Sequence, residues 1–288
     1  MATNKVKMRL QGHEKFVLRE GWINKALQIL PENPDAFTKK NATDLFGMGN
    51  NMVKSLRYWM KAFGLTTYNS TDGTQLTSIG QLIAKYDPYL EKYFTLWIMH
   101  SCIAKNKEEA TTWYMYFNHC DADELEKREI EAIVLREVEK YAQGKKFSER
   151  SLNNDIDTIL NMYSKNKENV DPEEKNICPF TSLGLIKNTD GKYVKCHPSK
   201  KIFSEMIVLY ELALLEKRGN GISIEDVIFG DNGLANIYNL TSVMVNEILD
   251  KLDDAGYIKV DRTAGLDMIY FIREIESTEV IEEYYRNY

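Results

Sequence analysis

The feature that most constrains the fold is the segment at residues 41–65, NATDLFGMGNNMVKSLRYWMKAFGL. It predicts a short helix over 42–46 and a longer helix over 50–63. Gly47 and Gly49 lie between them and predict a sharp turn, because glycine adopts backbone angles that are closed to other residues. Helix pairs of this kind commonly place their second helix in the major groove of DNA.

The longer predicted helix has an apolar face and a basic face, since residues three or four positions apart share a helix face. The apolar face carries Val53, Leu56, Met60 and Phe63, and the basic face carries Lys54, Arg57 and Lys61. An asparagine near the start of such a helix can pair with adenine, and an arginine can pair with guanine or bind a phosphate. The alternative is that Asn50 only caps the helix and that the Lys and Arg side chains of the basic face are only solvated. The predicted DNA-binding residues are Asn50, Asn51, Lys54, Arg57 and Lys61, with Lys39 and Lys40 contacting the DNA backbone nearby.

The rest of the chain predicts three domains. Residues 1–87 combine helices with a two-stranded hairpin, which indicates a winged-helix DNA-binding unit. Residues 88–178 predict a helical middle domain, with a charged linker at 165–175. Residues 179–288 repeat the order of helices and hairpin and predict a second winged-helix-like unit. The expected fold class is therefore mainly α, with an N-terminal winged helix-turn-helix, a helical middle and a C-terminal second winged helix.

The N-terminal and C-terminal units differ in the charge of the helix that precedes the predicted wing hairpin. The predicted helix at 50–63 has three cations and no carboxylate, whereas the one at 242–255 has four carboxylates and one lysine. Carboxylates oppose the approach of phosphates, so the C-terminal unit is predicted to be structural or to bind a protein.

Overall charge and hydropathy limit the remaining possibilities. A net charge of −6 excludes a basic coat over the whole surface, so that DNA binding has to rest on a local patch. The start of the chain has no apolar signal-peptide core, and its most apolar run is too short to span a bilayer. We expect a cytoplasmic protein with reduced thiols and no membrane partner.

Few residues form a catalytic pattern. His13 and Arg19 suggest a general base with a phosphate clamp, but an ion pair between Glu14 and Arg19 that fixes the first helix is favoured. Asp155 and Asp157 are two positions apart and do not share a helix face, which makes them a weak metal pair. The catalytic residues are therefore unknown and no metal ligands are predicted.

Two further clusters are interpreted as structural. Cys178, Cys196 and His197 lack the spacing of a zinc site, and free cysteines are most often buried. The aromatic residues at 113–117 are expected in the core, with stacking against unpaired bases as the lesser alternative. The Gly-rich turn at 47–49 lacks the spacing of a nucleotide-binding loop.

Most of the chain also resembles a known family, and the match is most specific at the N-terminus. The resemblance rests on His13, Glu14, Phe16, Arg19, Trp22, Gly47, Gly49, Asn51, Met52, Val53, Arg57, Tyr58 and Trp59, and later on Trp113, Phe117, Asn118, Cys178, Pro179 and Phe180. This pattern is similar to that of a bacterial family known as domain of unknown function 4007. Asn50 departs from it, because a lysine is expected there in many relatives, and this removes a phosphate contact.

The resemblance implies a role in DNA phosphorothioate modification and the linked antiphage defence. Members of this family sit beside cysteine desulfurases and sulfurtransferase-like ATP pyrophosphatases. The expected function is a DNA-binding component of this system. Whether it also nicks the duplex for sulfur incorporation is left open, and Mg²⁺ or Mn²⁺ is expected only if it nicks. The alternatives are a non-catalytic adaptor that docks modification enzymes, or a transcriptional regulator of the locus. Expected partners are double-stranded DNA and a modification-system ATPase or sulfurtransferase, and a homodimer is left open.

Overall fold

A computed structural model describes residues 6–165, 178–215, 221–265 and 267–288. The chain divides into two compact units, Met1–Cys196 and His197–Tyr288. The boundaries expected at 87/88 and 178/179 do not coincide with this division. The expected linker at 165–175 lies, from residue 166 onward, outside the described residues.

The described part of the first unit contains eight α-helices and a short 3₁₀ helix at Pro179–Leu183. The α-helices are α1 (Trp22–Ile29), α2 (Ala42–Phe46), α3 (Asn50–Ala62), α4 (Ser78–Tyr86), α5 (Tyr93–Ala104), α6 (Thr111–His119), α7 (Lys127–Ala142) and α8 (Glu149–Ser164).

Two antiparallel sheets belong to the same unit. The first is a hairpin of β1 (Thr66–Asn69) and β2 (Gly73–Leu76), with Thr66 opposite Leu76. The second has the order β3-β5-β4, and its strands are β3 (Glu124–Glu126), β4 (Ile186–Thr189) and β5 (Lys192–Lys195).

The second unit has five described α-helices, a 3₁₀ helix at Thr263–Gly265 and one three-stranded sheet of order β6-β8-β7. The helices are α9 (Glu205–Leu215), α10 (Ile224–Phe229), α11 (Leu234–Tyr238), α12 (Ser242–Asp254) and α13 (Ser277–Asn287), and the strands are β6 (Ile222–Ser223), β7 (Ile258–Asp261) and β8 (Met268–Phe271).

The predicted mainly α fold, with a winged helix at each end and a helical middle, is wrong. The described chain mixes helices with three small antiparallel sheets. The segment expected to be wholly helical supplies β3, which pairs with β5 so that Glu124 faces Val194 and Glu126 faces Lys192. An edge strand leaves backbone groups unpaired, and β3 satisfies those of β5 although the two are distant in the sequence.

The core of the first unit is rich in aromatic side chains. Trp59 of α3 stacks on Phe63 at 5.6 Å between ring centroids and meets Trp113 of α6 edge-on at 5.6 Å. Phe63 stacks in turn on Phe180 at 5.2 Å. Burying each large apolar side chain contributes about 1.5–3 kcal/mol. The interpretation of residues 113–117 as core is confirmed, because all five side chains are buried.

The turn before α3 follows the expectation only in part. Gly47 has a φ of 58°, in the left-handed region, whereas Gly49 is extended with a φ of −62°. Gly49 rather than Asn50 is the residue that precedes the first turn of α3. Only the first glycine is therefore required by its backbone angle.

Among the described helices, none is both long and apolar enough to cross a membrane.

Candidate nucleic-acid interface

One face of α3 is exposed to solvent along its full length. Val53, Leu56 and Met60 are buried, as their spacing predicts. The exposed face carries all five residues predicted to bind DNA on this helix, which are Asn50, Asn51, Lys54, Arg57 and Lys61. The helix therefore presents three cations and two amides on one side.

A groove of about 470 Å³ runs beside this face, between α3 and the β1–β2 hairpin. The side of the helix contributes Lys54, Arg57 and Lys61, and the hairpin contributes threonines and a tyrosine. The other residues that line it are Arg9, Gly12, Glu14, Tyr58, Thr66, Thr67, Tyr68 and Thr74. The groove is thus rich in cations and hydroxyl groups, with one carboxylate from Glu14.

Contacts within the groove orient two of the three helix cations. The Arg57 guanidinium lies over the ring of Tyr68, 5.4 Å from its centroid, and Tyr68 itself is 55% exposed. Lys54 Nζ donates to Asn51 Oδ1 at 3.4 Å. Neither Lys54 nor Arg57 has a carboxylate partner among the described residues. Both are therefore available to an anionic ligand.

The third helix cation shares a carboxylate with an arginine from the start of the chain. Lys61 Nζ lies 2.6 Å from Glu109 Oε1, and Arg9 Nη1 lies 3.0 Å from Glu109 Oε2. Partial burial by itself raises the pKa of Glu109, but the hydrogen bonds from Lys61 and Arg9 outweigh it and hold that pKa below its usual value. Glu109 is therefore a carboxylate bound to two cations at the edge of the groove.

Arg9 belongs to residues 6–13, which we call the N-terminal strap. The strap is fixed across the first unit by backbone hydrogen bonds: Arg9 N donates to Thr111 Oγ1 at 3.1 Å and Gln11 N donates to Asp155 Oδ1 at 2.9 Å. Gly12 packs so closely that a Cβ there would overlap the ring of Tyr58. This close approach places Arg9 above Tyr58, 5.2 Å from the ring centroid.

His13 and Asp155 form a buried pair behind the groove. His13 Nε2 lies 2.7 Å from Asp155 Oδ1, and Thr112 Oγ1 donates to Asp155 Oδ2 at 2.6 Å. The His13 ring stacks on Trp59 at 5.8 Å. Both members of the pair are fully buried, so the polar groups satisfy each other inside the core. The pair is therefore a structural link between the strap, α3 and α8.

The candidate catalytic groups differ from expectation. His13 is inaccessible, which removes it as a general base, and no ion pair joins Glu14 to Arg19 within the described residues. The Arg19 guanidinium instead lies over Trp22, 5.6 Å from its ring centroid. The favoured Glu14–Arg19 ion pair is therefore wrong.

The residues considered for metal binding do not fit a metal ion. Asp155 is buried and bound by protein donors, while Asp157 lies 2.5 Å from Lys127 Nζ. Burial raises the pKa of the Cys178 thiol to about 12, as expected for a packed cysteine. In the part of the chain that the structure describes, no three His, Cys, Asp or Glu side chains are grouped to hold a metal.

Four predicted residues do not line the groove, and several residues that line it were not predicted. Asn50 and Asn51 are exposed at the start of α3 beyond its lining. Lys39 and Lys40 are exposed in the loop before α2, and neither lines the groove. Arg9 and Tyr68 line it but were missed, because the strap carries no periodic pattern and the tyrosine was assigned only to a strand. An arginine between Met8 and Leu10 in a polar N-terminal segment was the available signal.

In the second unit, α12 is less acidic in its folded surroundings than its sequence indicates. Three of its four carboxylates have cation partners: Lys200 lies 2.6 Å from Glu247, Arg262 lies 2.8 Å from Asp250 and Lys259 lies 3.1 Å from Asp253. The helix α3 is still the more positive of the two, and α12 is still the more negative. The contrast between them is smaller than the helix sequences alone imply, because the neighbouring cations offset the charge of α12.

Comparison with known proteins identifies the family. Two solved structures are similar to this chain: one described as a magnesium ion-bound SspB crystal structure, with a TM-score of 0.84, and one described as an SspB crystal structure, with a TM-score of 0.83. Each is 23% identical, and each match covers 96% of this chain and 88% of the other, so the likeness concerns the fold. No curated protein matches the chain. The model of the family described as "Protein of unknown function (DUF4007)" matches residues 10–285, and the chain therefore belongs to that family.

Proposed function

We propose that the chain binds duplex DNA through the exposed face of α3. The observation that carries this proposal is the arrangement of Lys54, Arg57 and Lys61 on one accessible face, beside a groove to which the strap adds Arg9. Lysine and arginine side chains on one face release counterions from the DNA backbone when they bind phosphates, and this supplies most non-specific affinity. In this proposal Asn50 and Asn51, which are exposed at the start of the helix, contact base edges.

The test is charge reversal at the two cations that have no carboxylate partner among the described residues. We expect Lys54→Glu with Arg57→Glu to weaken duplex binding at least roughly 60-fold at about 0.1 M salt, because each lost phosphate contact removes about 0.9 from the slope of log K against log salt. Thermal stability should stay nearly unchanged, since exposed substitutions usually shift it by less than about 0.5 kcal/mol. Unaltered affinity in a folded variant would reject the α3 assignment.

A matched control is available on the second sheet of the same unit. Lys187 and Lys192 are exposed on β4 and β5 and do not line the groove, and Lys192 forms an exposed ion pair with Glu124 at 2.7 Å. Lys187→Glu with Lys192→Glu changes the net charge by the same amount as the α3 variant. The control should retain most of the affinity if binding is local to α3, whereas an equal loss in both variants would indicate binding through overall charge.

We further propose that this DNA binding serves phosphorothioate modification of bacterial DNA and the linked antiphage defence, with the chain in the cytoplasm. The support is membership of the DUF4007 family and the fold shared with the two SspB structures. Disruption of the gene in its host should then remove sulfur from the DNA backbone, measured by mass spectrometry of digested DNA. Full retention of phosphorothioate would reject this setting.

Nicking of the duplex is the enzymatic form of the proposal, and relaxation of supercoiled plasmid with added Mg²⁺ or Mn²⁺ tests it. The residues that the structure describes supply no grouped metal ligands, so no catalytic residue is assigned. A protein that binds the plasmid and leaves it supercoiled would instead act as an adaptor for an ATPase or sulfurtransferase. A palindromic binding preference would favour a regulator of the locus.

A further inference from the structure

Cations beyond α3 line two depressions that adjoin the groove. The groove beside α3 shares Arg9 with a second depression, which is lined also by Lys7 and Lys145. That depression shares Lys145 with a third, which is lined also by Lys146. We call Arg9, Lys7, Lys145 and Lys146 the strap track. Because neighbouring depressions share residues, the track is continuous with the groove.

The track is held in place by contacts of the strap with α7 and with the residues that follow it. Tyr141 OH donates to Lys7 O at 2.8 Å, and Lys145 Nζ donates to Val6 O at 3.1 Å. Together with the hydrogen bonds from Arg9 N to Thr111 and from Gln11 N to Asp155, these contacts fix the strap along its length. The side chain of Lys7 is nevertheless 74% exposed. The strap backbone is thus ordered while its charged groups face solvent.

Four carboxylates line the same two depressions as the four cations of the track, and two of them form ion pairs with it. Glu108 lies 3.1 Å from Lys7, and Glu109 binds Arg9. The third depression also contains Glu139 and Glu149. Lys145 and Lys146 have no carboxylate partner within the described residues, and both are exposed. The far end of the track is therefore the part that is freest to bind an anion.

We propose that the phosphate backbone of the DNA held by α3 continues along the strap track to Lys145 and Lys146. The inference rests on the proposed function, since it extends the same binding surface. The two cations at the far end, which have no carboxylate partner among the described residues, extend the cationic surface of the groove, and duplex DNA is a long polyanion with one charge per about 1.7 Å of its axis. Contacts to phosphates position a protein on DNA without reading sequence, so the track adds affinity rather than specificity.

The experiment measures the salt dependence of duplex binding for Lys145→Gln with Lys146→Gln. Two lost phosphate contacts should make the negative slope of log K against log salt shallower by about 1.8. The same loss weakens affinity roughly 60-fold at about 0.1 M salt. The matched control, Lys187→Gln with Lys192→Gln, should leave the slope unchanged. Preference among duplex sequences should also remain as in the unaltered protein.

A second variant protects the test against loss of the strap. Lys146→Gln alone leaves the bond from Lys145 to Val6 intact and should lower the slope by about 0.9. An unchanged slope in both folded variants, with duplex binding retained, would overturn the strap track while leaving the α3 proposal standing. An unaltered protein that does not bind DNA would overturn both. Loss of an acidic protein partner with DNA binding unchanged would assign the track to that partner instead.

Discussion

Replacing Glu109 with glutamine should strengthen DNA binding. The carboxylate holds Lys61 at 2.6 Å and Arg9 at 3.0 Å, so that two cations beside the groove present only one net positive charge. Glutamine keeps the shape of the side chain and one acceptor oxygen but removes the negative charge. One more effective phosphate contact raises affinity by about eightfold at about 0.1 M salt and steepens the salt slope by about 0.9.

The cost to folding should be small. The Glu109 side chain is only 24% exposed, but its cation partners are more accessible, and ion pairs at such sites contribute about 0.2–1 kcal/mol each. The assay is fluorescence anisotropy of a labelled duplex over a salt series, with thermal unfolding measured in parallel. Glu137 offers a matched control, because it also holds two cations, Arg136 at 3.1 Å and Lys140 at 2.8 Å, and it does not line the groove.

The reasoning would be refuted by a Glu109→Gln variant that is folded and binds DNA less tightly than the unaltered protein. In that case the carboxylate orients Lys61 and Arg9 for the phosphate rather than competing with it. An equal gain in Glu137→Gln would also refute it, since the effect would then follow net charge and not the two contacts at the groove.

Three other substitutions or conditions test the scaffold behind the groove. Gly12→Ala should destabilise the protein by about 1–3 kcal/mol in denaturant unfolding, because the added methyl overlaps the buried ring of Tyr58; wild-type stability would show that the strap shifts freely. Asp155→Ala should cost at least about 3 kcal/mol, since three hydrogen-bonded groups lose their acceptor at about 1–3 kcal/mol each, and a smaller loss measured by calorimetry would argue against a structural link. Glu109 has a lowered pKa, so its stabilising contribution is present above the carboxyl's usual pKa and is lost as pH falls through the lowered value; the stability difference between the unaltered protein and Glu109→Gln should shrink on acidification and not grow.

Local sequence patterns predicted α3 well, and contacts between distant segments were beyond them. The three- and four-residue spacing of Val53, Leu56 and Met60 identified the buried face, because helix periodicity is a local property. The pairing of β3 with β5 was missed, since a three-residue strand has no period of its own to detect. The strand β3 forms only because β5 offers it an unpaired edge. The two strands are far apart in the sequence, since Glu124 and Lys192 are separated by 68 positions.

In the candidate site, too, the features within one helix were predicted and the contacts between distant segments were not. The cations of α3 follow from the sequence, whereas Arg9 and Glu109 come together only through the fold. One available signal was not used: Asp155 falls among Leu152, Ile156 and Ile159 on the apolar stripe of α8, which places a carboxylate in the core. A charged residue in that position needs a partner, and His13 supplies it.

The link between His13 and Asp155 has a consequence for how the proposed DNA-binding surface is assembled during folding. It joins residues 142 positions apart, and the bond from Gln11 N spans 144. Contacts of such long range close late and slow folding, because the entropy of loop closure must be met first. A fragment that ends near residue 87 would lack Asp155, Glu109 and the ring of Trp113 against Trp59. The groove is thus a property of the whole first unit, and no shorter autonomous fragment is expected to reproduce its affinity.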